Sequence, residues 1–301
     1  MNTQNHQLSD DFNVFDTIEI SLKREDQIHP FVSGNKFRKL KYNLIAAKNQ
    51  NKESLLTFGG AFSNHIAATA AAGKELGFKT IGIIRGEELV DKIDENPTLA
   101  FAKANGMHLH FISRDQYNQK DSTAFNNGLK NQFGDFYLLP EGGSNALAVK
   151  GCEEILTEAD AGFDIICVPA GTGGTMAGLI SCSKPHQKII GFSALKGDFL
   201  KKEIERWTSK TNWELTDEFC FGGYAKVNEE LISFINNFKK MTGIPLDPVY
   251  TGKMMYGIYQ LIKAEKIQKN SRILAIHTGG LQGVTGMNLY LEKKNLPLIE
   301  I

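Results

Sequence analysis

Three short stretches of this chain carry residue types that can act together on one small molecule. They are Ser33-Gly34-Asn35-Lys36-Phe37-Arg38-Lys39-Leu40, Gly59-Gly60-Ala61-Phe62-Ser63-Asn64-His65 and Ala170-Gly171-Thr172-Gly173-Gly174-Thr175. The first offers amines beside a tight turn, the second a Gly/Ser/Asn turn suited to a carboxylate, and the third a Gly/Thr loop able to wrap phosphate. An amine for a carbonyl group beside a phosphate cradle is the combination that pyridoxal phosphate requires.

Lys36 and Lys39 are three apart at an expected helix start and share a face, while Arg38 and Lys41 point elsewhere. A helix N-terminus disfavours cations, so this placement calls for a compensating anion or for a lysine held uncharged. Desolvation and a second cation such as Lys39 would depress the Lys36 pKa, which an amine nucleophile needs. In the second stretch, Ser63 or Asn64 can cap the following helix; the same helix start can receive a carboxylate through Ser63 and leave Asn64 free for a cofactor hydroxyl. His65 would face the same mouth as a further carboxylate contact. In the third stretch the glycines permit close backbone approach, and the threonines add hydroxyls ahead of a helix N-terminus. A dinucleotide fingerprint fits poorly there. The loop reads G-x-G-G-x-x-x-G in mid-chain, and the next strand ends in Ser193-Ala194 where a ribose-binding acid is wanted. The histidines show no metal spacing.

These loops sit where apolar runs give way to helical periodicity. Strands are expected at 55–58, 80–84, 108–112, 165–168, 189–192 and 273–276, and helices at 64–76, 98–105, 147–159, 175–183, 229–241 and 253–264. The alternation predicts two open, mostly parallel, twisted sheets covered by helices, with ligands at the strand ends. Residues 113–127 read as a long surface loop or short helix. Pro140-Glu141-Gly142-Gly143 reads as a crossing between two sheet domains.

With 301 residues, 42% of them hydrophobic, the chain can bury a large core, and its formal net charge of zero provides no field for nucleic acid or an anionic membrane. A small-molecule partner is expected. Cys152, Cys167, Cys182 and Cys220 lack C-x-x-C spacing and read as structural. Residues 1–16 are polar and acidic without a signal-peptide run, and no apolar run is long enough to span a membrane, which makes a cytoplasmic enzyme the simplest expectation.

Taken with Glu141-Gly142-Gly143-Ser144-Asn145, Asp247-Pro248-Val249-Tyr250-Thr251-Gly252-Lys253 and His277-Thr278-Gly279-Gly280, the Lys36 and Ser63 stretches resemble the family of 1-aminocyclopropane-1-carboxylate deaminase and D-cysteine desulfhydrase. That family has the tryptophan-synthase-β-like architecture, fold type II. The resemblance implies a large domain of residues 1–42 and 142–301, a small one of residues 43–141, and pyridoxal 5'-phosphate in the cleft between them. It implies Lys36 as the Schiff-base lysine, Lys39 and the loop of Ala170, Gly171, Thr172, Gly173, Gly174 and Thr175 on the phosphate, and Asn64 on the cofactor hydroxyl. Ser63, Asn64, His65 and Thr278 would meet substrate. Tyr250 would stack on the pyridine ring, with Tyr224 as a second active-site tyrosine. Without the resemblance, either tyrosine reads as half-buried core.

Two positions separate the branches of that family. The deaminases resemble one another in a glutamate after the stacking tyrosine, near the pyridine nitrogen, and in an apolar residue at the position of Thr278. Here Thr251 and Thr278 supply hydroxyls, as in the desulfhydrases. The implied reaction is α,β-elimination from a small D-amino acid, D-cysteine foremost, with Lys36 as base and Tyr224 or Tyr250 assisting proton transfer. Deamination of 1-aminocyclopropane-1-carboxylate to 2-oxobutanoate and ammonia, a pyridoxal-phosphate-binding protein of low activity, and a nucleotide-binding α/β protein are the alternatives. A homodimer is the expected assembly.

Overall fold

The computed structural model describes residues 1–8 and 18–301. Residues 9–17, part of the expected large-domain segment and of the polar N-terminal stretch, lie outside the described residues. The chain begins with β1 (Asn5–Gln7), β2 (Glu19–Lys23) and α1 (Asn35–Asn49). It continues through β3 (Ser54–Gly59), α2 (Asn64–Leu76), β4 (Lys79–Arg85), α3 (Pro97–Ala104), β5 (Met107–Ile112), α4 (Arg114–Tyr117), α5 (Thr123–Phe133) and β6 (Tyr137–Leu139). Then follow α6 (Ala146–Glu153), β7 (Ile165–Ala170), α7 (Gly174–Cys182), β8 (Lys188–Ser193), α8 (Phe199–Glu205) and β9 (Trp213–Thr216). The last elements are α9 (Glu229–Thr242), α10 (Thr251–Lys263), β10 (Arg272–Ile276) and α11 (Gln282–Lys293).

The strands form two sheets, one in the order β1-β2-β10-β7-β8-β9 and one in the order β5-β4-β3-β6. Every pairing is parallel except β1 with β2, whose register sets Asn5 opposite Lys23. Central strands are apolar on both faces, as β7 shows with all six residues buried, because helices cover both sides of each sheet. Each fully buried Leu or Ile in these layers stabilises the fold by roughly 1.5–3 kcal/mol. Of the four cysteines, Cys152, Cys167 and Cys220 are buried and Cys182 partly so, and all are free thiols.

Local chemistry explains most helix limits. Ser63 caps α2 by accepting from the Ile66 N–H, and Gly77 ends it in the left-handed region at φ 78°. Asn96 caps α3 ahead of Pro97. One stretch departs from expectation. The helix expected over 147–159 stops at Glu153, because the Asp160 carboxylate turns back onto the Thr157 N–H and hydroxyl and pairs with buried Lys23 at 2.7 Å. Residues 113–127 hold α4 and the start of α5, each opened by a serine cap, Ser113 and Ser122. The edge strands β1 and β6, three residues each, are too short to show a pattern in sequence.

Candidate active site

A cavity lies where α1, the β3–α2 turn, the β7–α7 loop and the start of α10 converge. It is lined by Lys36, Lys39, Ser63, Asn64 and His65, by Ala170, Gly171, Thr172, Gly173 and Thr175, and by Tyr224, Tyr250 and Thr278. Thirteen of the residues singled out from sequence thus share one wall. Gly174 and Thr251 lie behind it. Among the described residues, no Asp or Glu lines this cavity.

Gly34 sets the approach of α1. It sits at φ 62°, and a Cβ there would lie 1.8 Å from the Thr278 carbonyl oxygen, so only glycine lets the helix start against the Thr278-Gly279 strand end. One turn in, Arg38 points away from the cavity and makes a buried two-pronged pair with Glu25 at 2.8 and 2.9 Å, while Lys41 pairs with Glu154. The two outward cations anchor the helix. Breaking a buried pair of this kind typically costs about 3–5 kcal/mol.

The inward pair behaves differently. Burial, helped by the Lys39 charge, lowers the Lys36 pKa to about 7, and burial lowers that of Lys39 to about 8. Lys36 Nζ donates to Asn35 Oδ1 at 3.0 Å, and Asn35 Nδ2 donates to Thr175 Oγ1 at 2.8 Å. Asn35 therefore links the amine to the Gly/Thr loop, a role that its place inside the Ser33–Leu40 stretch signalled without specifying. Lys39 Nζ donates to Ser144 Oγ at 2.8 Å, to Gly142 O at 3.0 Å and to Thr172 Oγ1 at 3.1 Å. Nothing in the sequence singles out Ser144 for this role, although it stands within Glu141-Gly142-Gly143-Ser144-Asn145.

The loop itself ends in Gly173 at φ 78°, and α7 starts with no side chain capping it and no acid in its first turn. Its first N–H groups and the positive end of its dipole are available to an anion. Gly174 serves by having no side chain: a Cβ would come 2.9 Å from Ser144 Oγ and 3.5 Å from Lys39 Nζ.

Across the cavity, Asn64 Oδ1 accepts from Gln282 Nε2 at 2.9 Å, bringing α11 to the mouth. His65 is buried, and its Nε2 lies 2.9 Å from Thr57 Oγ1. Thr57 spends its hydroxyl proton on the Leu139 carbonyl, so the His65 Nε2–H must be the donor and Nδ1 carries no proton. Burial, then the Lys36 and Lys39 charges, push the His65 pKa well below its usual value and keep the ring neutral. Nδ1 is buried without a partner and rests against Gly143, where a Cβ would be 3.2 Å away. The one ring proton is thus held by Thr57, while His65 remains in the cavity lining.

Tyr250 and Tyr224 meet edge to face, ring centres 6.2 Å apart and planes at 68°. Burial raises both pKa values, that of Tyr250 further. Tyr250 also packs on the loop, since a Cβ at Gly171 would approach its ring to 3.0 Å. The start of α10 is caged by Asp247, whose Oδ2 accepts the Val249 and Tyr250 N–H groups and whose Oδ1 accepts the Thr251 N–H and hydroxyl. Thr251 is fully buried and its hydroxyl is committed to Asp247. Thr278, by contrast, stands in the cavity wall.

A fold of two helix-covered parallel sheets, with an amine and a Gly/Thr anion loop between them, defines a pyridoxal-phosphate enzyme of fold type II. The family model described as pyridoxal-phosphate dependent enzyme matches residues 7–279, and the chain belongs to that family. Within it, the chain is 33% identical over 295 residues to the bifunctional D-cysteine desulfhydrase/1-aminocyclopropane-1-carboxylate deaminase, mitochondrial, of Arabidopsis thaliana, covering 88% of this chain and 73% of the relative. It is therefore a member of the 1-aminocyclopropane-1-carboxylate deaminase and D-cysteine desulfhydrase group. A crystal structure described as an ACC deaminase homologue superposes with a TM-score of 0.83 at 28% identity, covering 97% of this chain and 94% of that one. An O-acetylserine dependent cystathionine beta-synthase from Helicobacter pylori, 16% identical with a TM-score of 0.67 over 93% of this chain and 92% of that one, shares the fold. No described helix is long and apolar enough to cross a membrane.

Proposed function

We propose that this enzyme eliminates a leaving group from the β-carbon of a small D-amino acid, D-cysteine foremost. D-cysteine and one water would yield pyruvate, hydrogen sulfide and ammonia. The observation that carries this reading is Lys36, an amine with a pKa near 7 tied through Asn35 to the anion loop.

The residues present fit pyridoxal phosphate. Lys36 supplies the uncharged amine for its carbonyl carbon, and Lys39, Thr172, Ser144 and the α7 N-terminus supply donors for its phosphate. Tyr250 offers a flat face beside Gly171, and Asn64 a side-chain amide at the cavity mouth. When bound, the cofactor supplies an electron sink for the pair left on Cα as its proton departs.

The chain's own groups would do the rest. Lys36 Nζ, free of a proton near neutral pH, accepts the α-proton. Ser63 and the first N–H groups of α2 hold the substrate carboxylate. Tyr224, the more exposed of the two tyrosines, moves a proton at the leaving group, with the Tyr250 ring packed edge to face behind it. His65 shapes the wall as a neutral ring. The hydroxyl of Thr278 in that wall favours a polar β-substituent over the cyclopropane acid.

A panel of D-cysteine, L-cysteine, D-serine and 1-aminocyclopropane-1-carboxylate, assayed for sulfide, 2-oxo acid and ammonia, tests the reading. D-cysteine should give the highest kcat/KM; preference for the cyclopropane acid would overturn the assignment of substrate. We take the assembly to be a homodimer and the two domains to be 1–42 with 142–301, and 43–141. Sedimentation velocity and limited proteolysis read these out.

A further inference from the structure

Lys253 has no part in the chemistry above, yet it is a lysine only 2% exposed, on the first turn of α10. Its Nζ donates at 2.8 Å to the carbonyl oxygens of Cys220 and Gly223. Burial lowers its pKa to about 8. A buried ammonium that meets only neutral carbonyls is a costly way to fill space, and an apolar side chain of the same length would fill it without that cost.

Its two acceptors lie in the turn that leads directly into Tyr224, the second being the residue just before it. That segment is unusual backbone: Phe221 at φ 52°, Gly222 at 88°, Gly223 at 119° and Ala225 at 55°. Two of these are non-glycine residues in the left-handed region, a conformation that persists only where surrounding contacts impose it. Tyr224 is 44% exposed, and its ring's stacking partner is Tyr250. Lys253 stands three residues after Tyr250, the residue that immediately precedes α10. The start of α10 therefore follows directly on one tyrosine and reaches the loop of the other through Lys253.

We propose that Lys253 is a positioning residue for Tyr224: by tying the Cys220 and Gly223 carbonyls to α10, it holds the Tyr224 phenol against Tyr250 at the cavity wall. The role in turnover rests on the proton-transfer reading of Tyr224 given above.

The test is a cycle of Lys253→Met, Tyr224→Phe and the double variant, with amide hydrogen exchange followed across residues 220–225 in the chain without added cofactor. Lys253→Met should speed exchange in that segment, lower kcat by about 10-fold with KM nearly unchanged, and lower kcat by less than about 2-fold when Tyr224 is already Phe. Lys253→Gln, which keeps N–H donors, should recover part of both signals, and it replaces Lys253→Met in the cycle if that variant does not fold. Unchanged exchange in residues 220–225, or losses that multiply in the double variant, would overturn the inference while leaving the function of Tyr224 intact. Full turnover by Tyr224→Phe would instead overturn the proton-transfer reading, and with it any need to position that ring.

Discussion

The Thr251 hydroxyl donates to Asp247 Oδ1 at 2.7 Å and accepts from the Asp247 N–H at 2.9 Å, closing a five-residue ring at the start of α10. Thr251 thus acts on the tyrosine beside it through the backbone. Replacing it by valine leaves a buried donor and a carboxylate lobe underused, a loss of about 1–3 kcal/mol. A Thr251→Glu change goes further, setting a second carboxylate against buried Asp247. Melting temperatures should fall in the order wild type, Thr251→Val, Thr251→Glu. A glutamate variant as stable as wild type would show that Asp247 readily gives up this partner.

The lowered pKa of Lys36 has a kinetic signature. Only the unprotonated amine attacks a carbonyl, so the rate at which cofactor-free protein gains visible absorbance on adding pyridoxal phosphate should rise with pH around a midpoint near 7. A free lysine would place that midpoint more than three units higher. Lys36→Ala should gain no such absorbance and should retain under about 1% of turnover, since removing a covalent amine and base costs several powers of ten.

Lys39 is aimed at the phosphate end of the site. Lys39→Met should weaken binding of pyridoxal phosphate by about 10–100-fold, the usual worth of a charge-assisted hydrogen bond, and leave binding of phosphate-free pyridoxal nearly unchanged. Equal losses for both ligands, read by absorbance titration, would move Lys39 out of the phosphate site.

Stability of the cofactor-free chain should carry the same electrostatics. Lys36, Lys39 and Lys253 stand at about 7, 8 and 8 in the folded chain against 10.5 for ordinary lysine. Above those folded values the unfolded chain holds protons that the folded chain has released, so stability rises with pH. Each lysine contributes at most about 1.4 kcal/mol per pH unit. The buried thiols of Cys152 and Cys167, raised above their usual value, oppose the trend from about pH 9 upward. The window is therefore pH 7 to 8.5. Chemical denaturation across it should show a rising free energy, and a shallower rise in Lys36→Met; equal slopes would contradict an uncharged Lys36.

Much of this site was legible because its signals are local. Ser63 at a helix start, Gly173 at a strand-to-helix turn and two lysines three apart on α1 declare their geometry within a few residues. The limits of α2 could be read from sequence for the same reason, with a serine before it and a glycine after it. Asp160 shows where such reading fails: the carboxylate that ends the turn after α6 is set by Lys23, 137 residues away. Asn35 and Ser144 were in view, but their partners Thr175 and Lys39 lie more than 100 residues off.

By itself, the sequence determined the alternation of strands and helices, the amine at Lys36 and the anion loop, since periodicity, capping and glycine placement act over a few residues. Only the tertiary structure decided which nitrogen of His65 bears the proton, that Thr251 is spent on Asp247, and that Lys253 grips the loop bearing Tyr224. Those outcomes depend on which polar groups meet once water is excluded, and a buried donor or acceptor takes its role from whatever partner the fold brings to it.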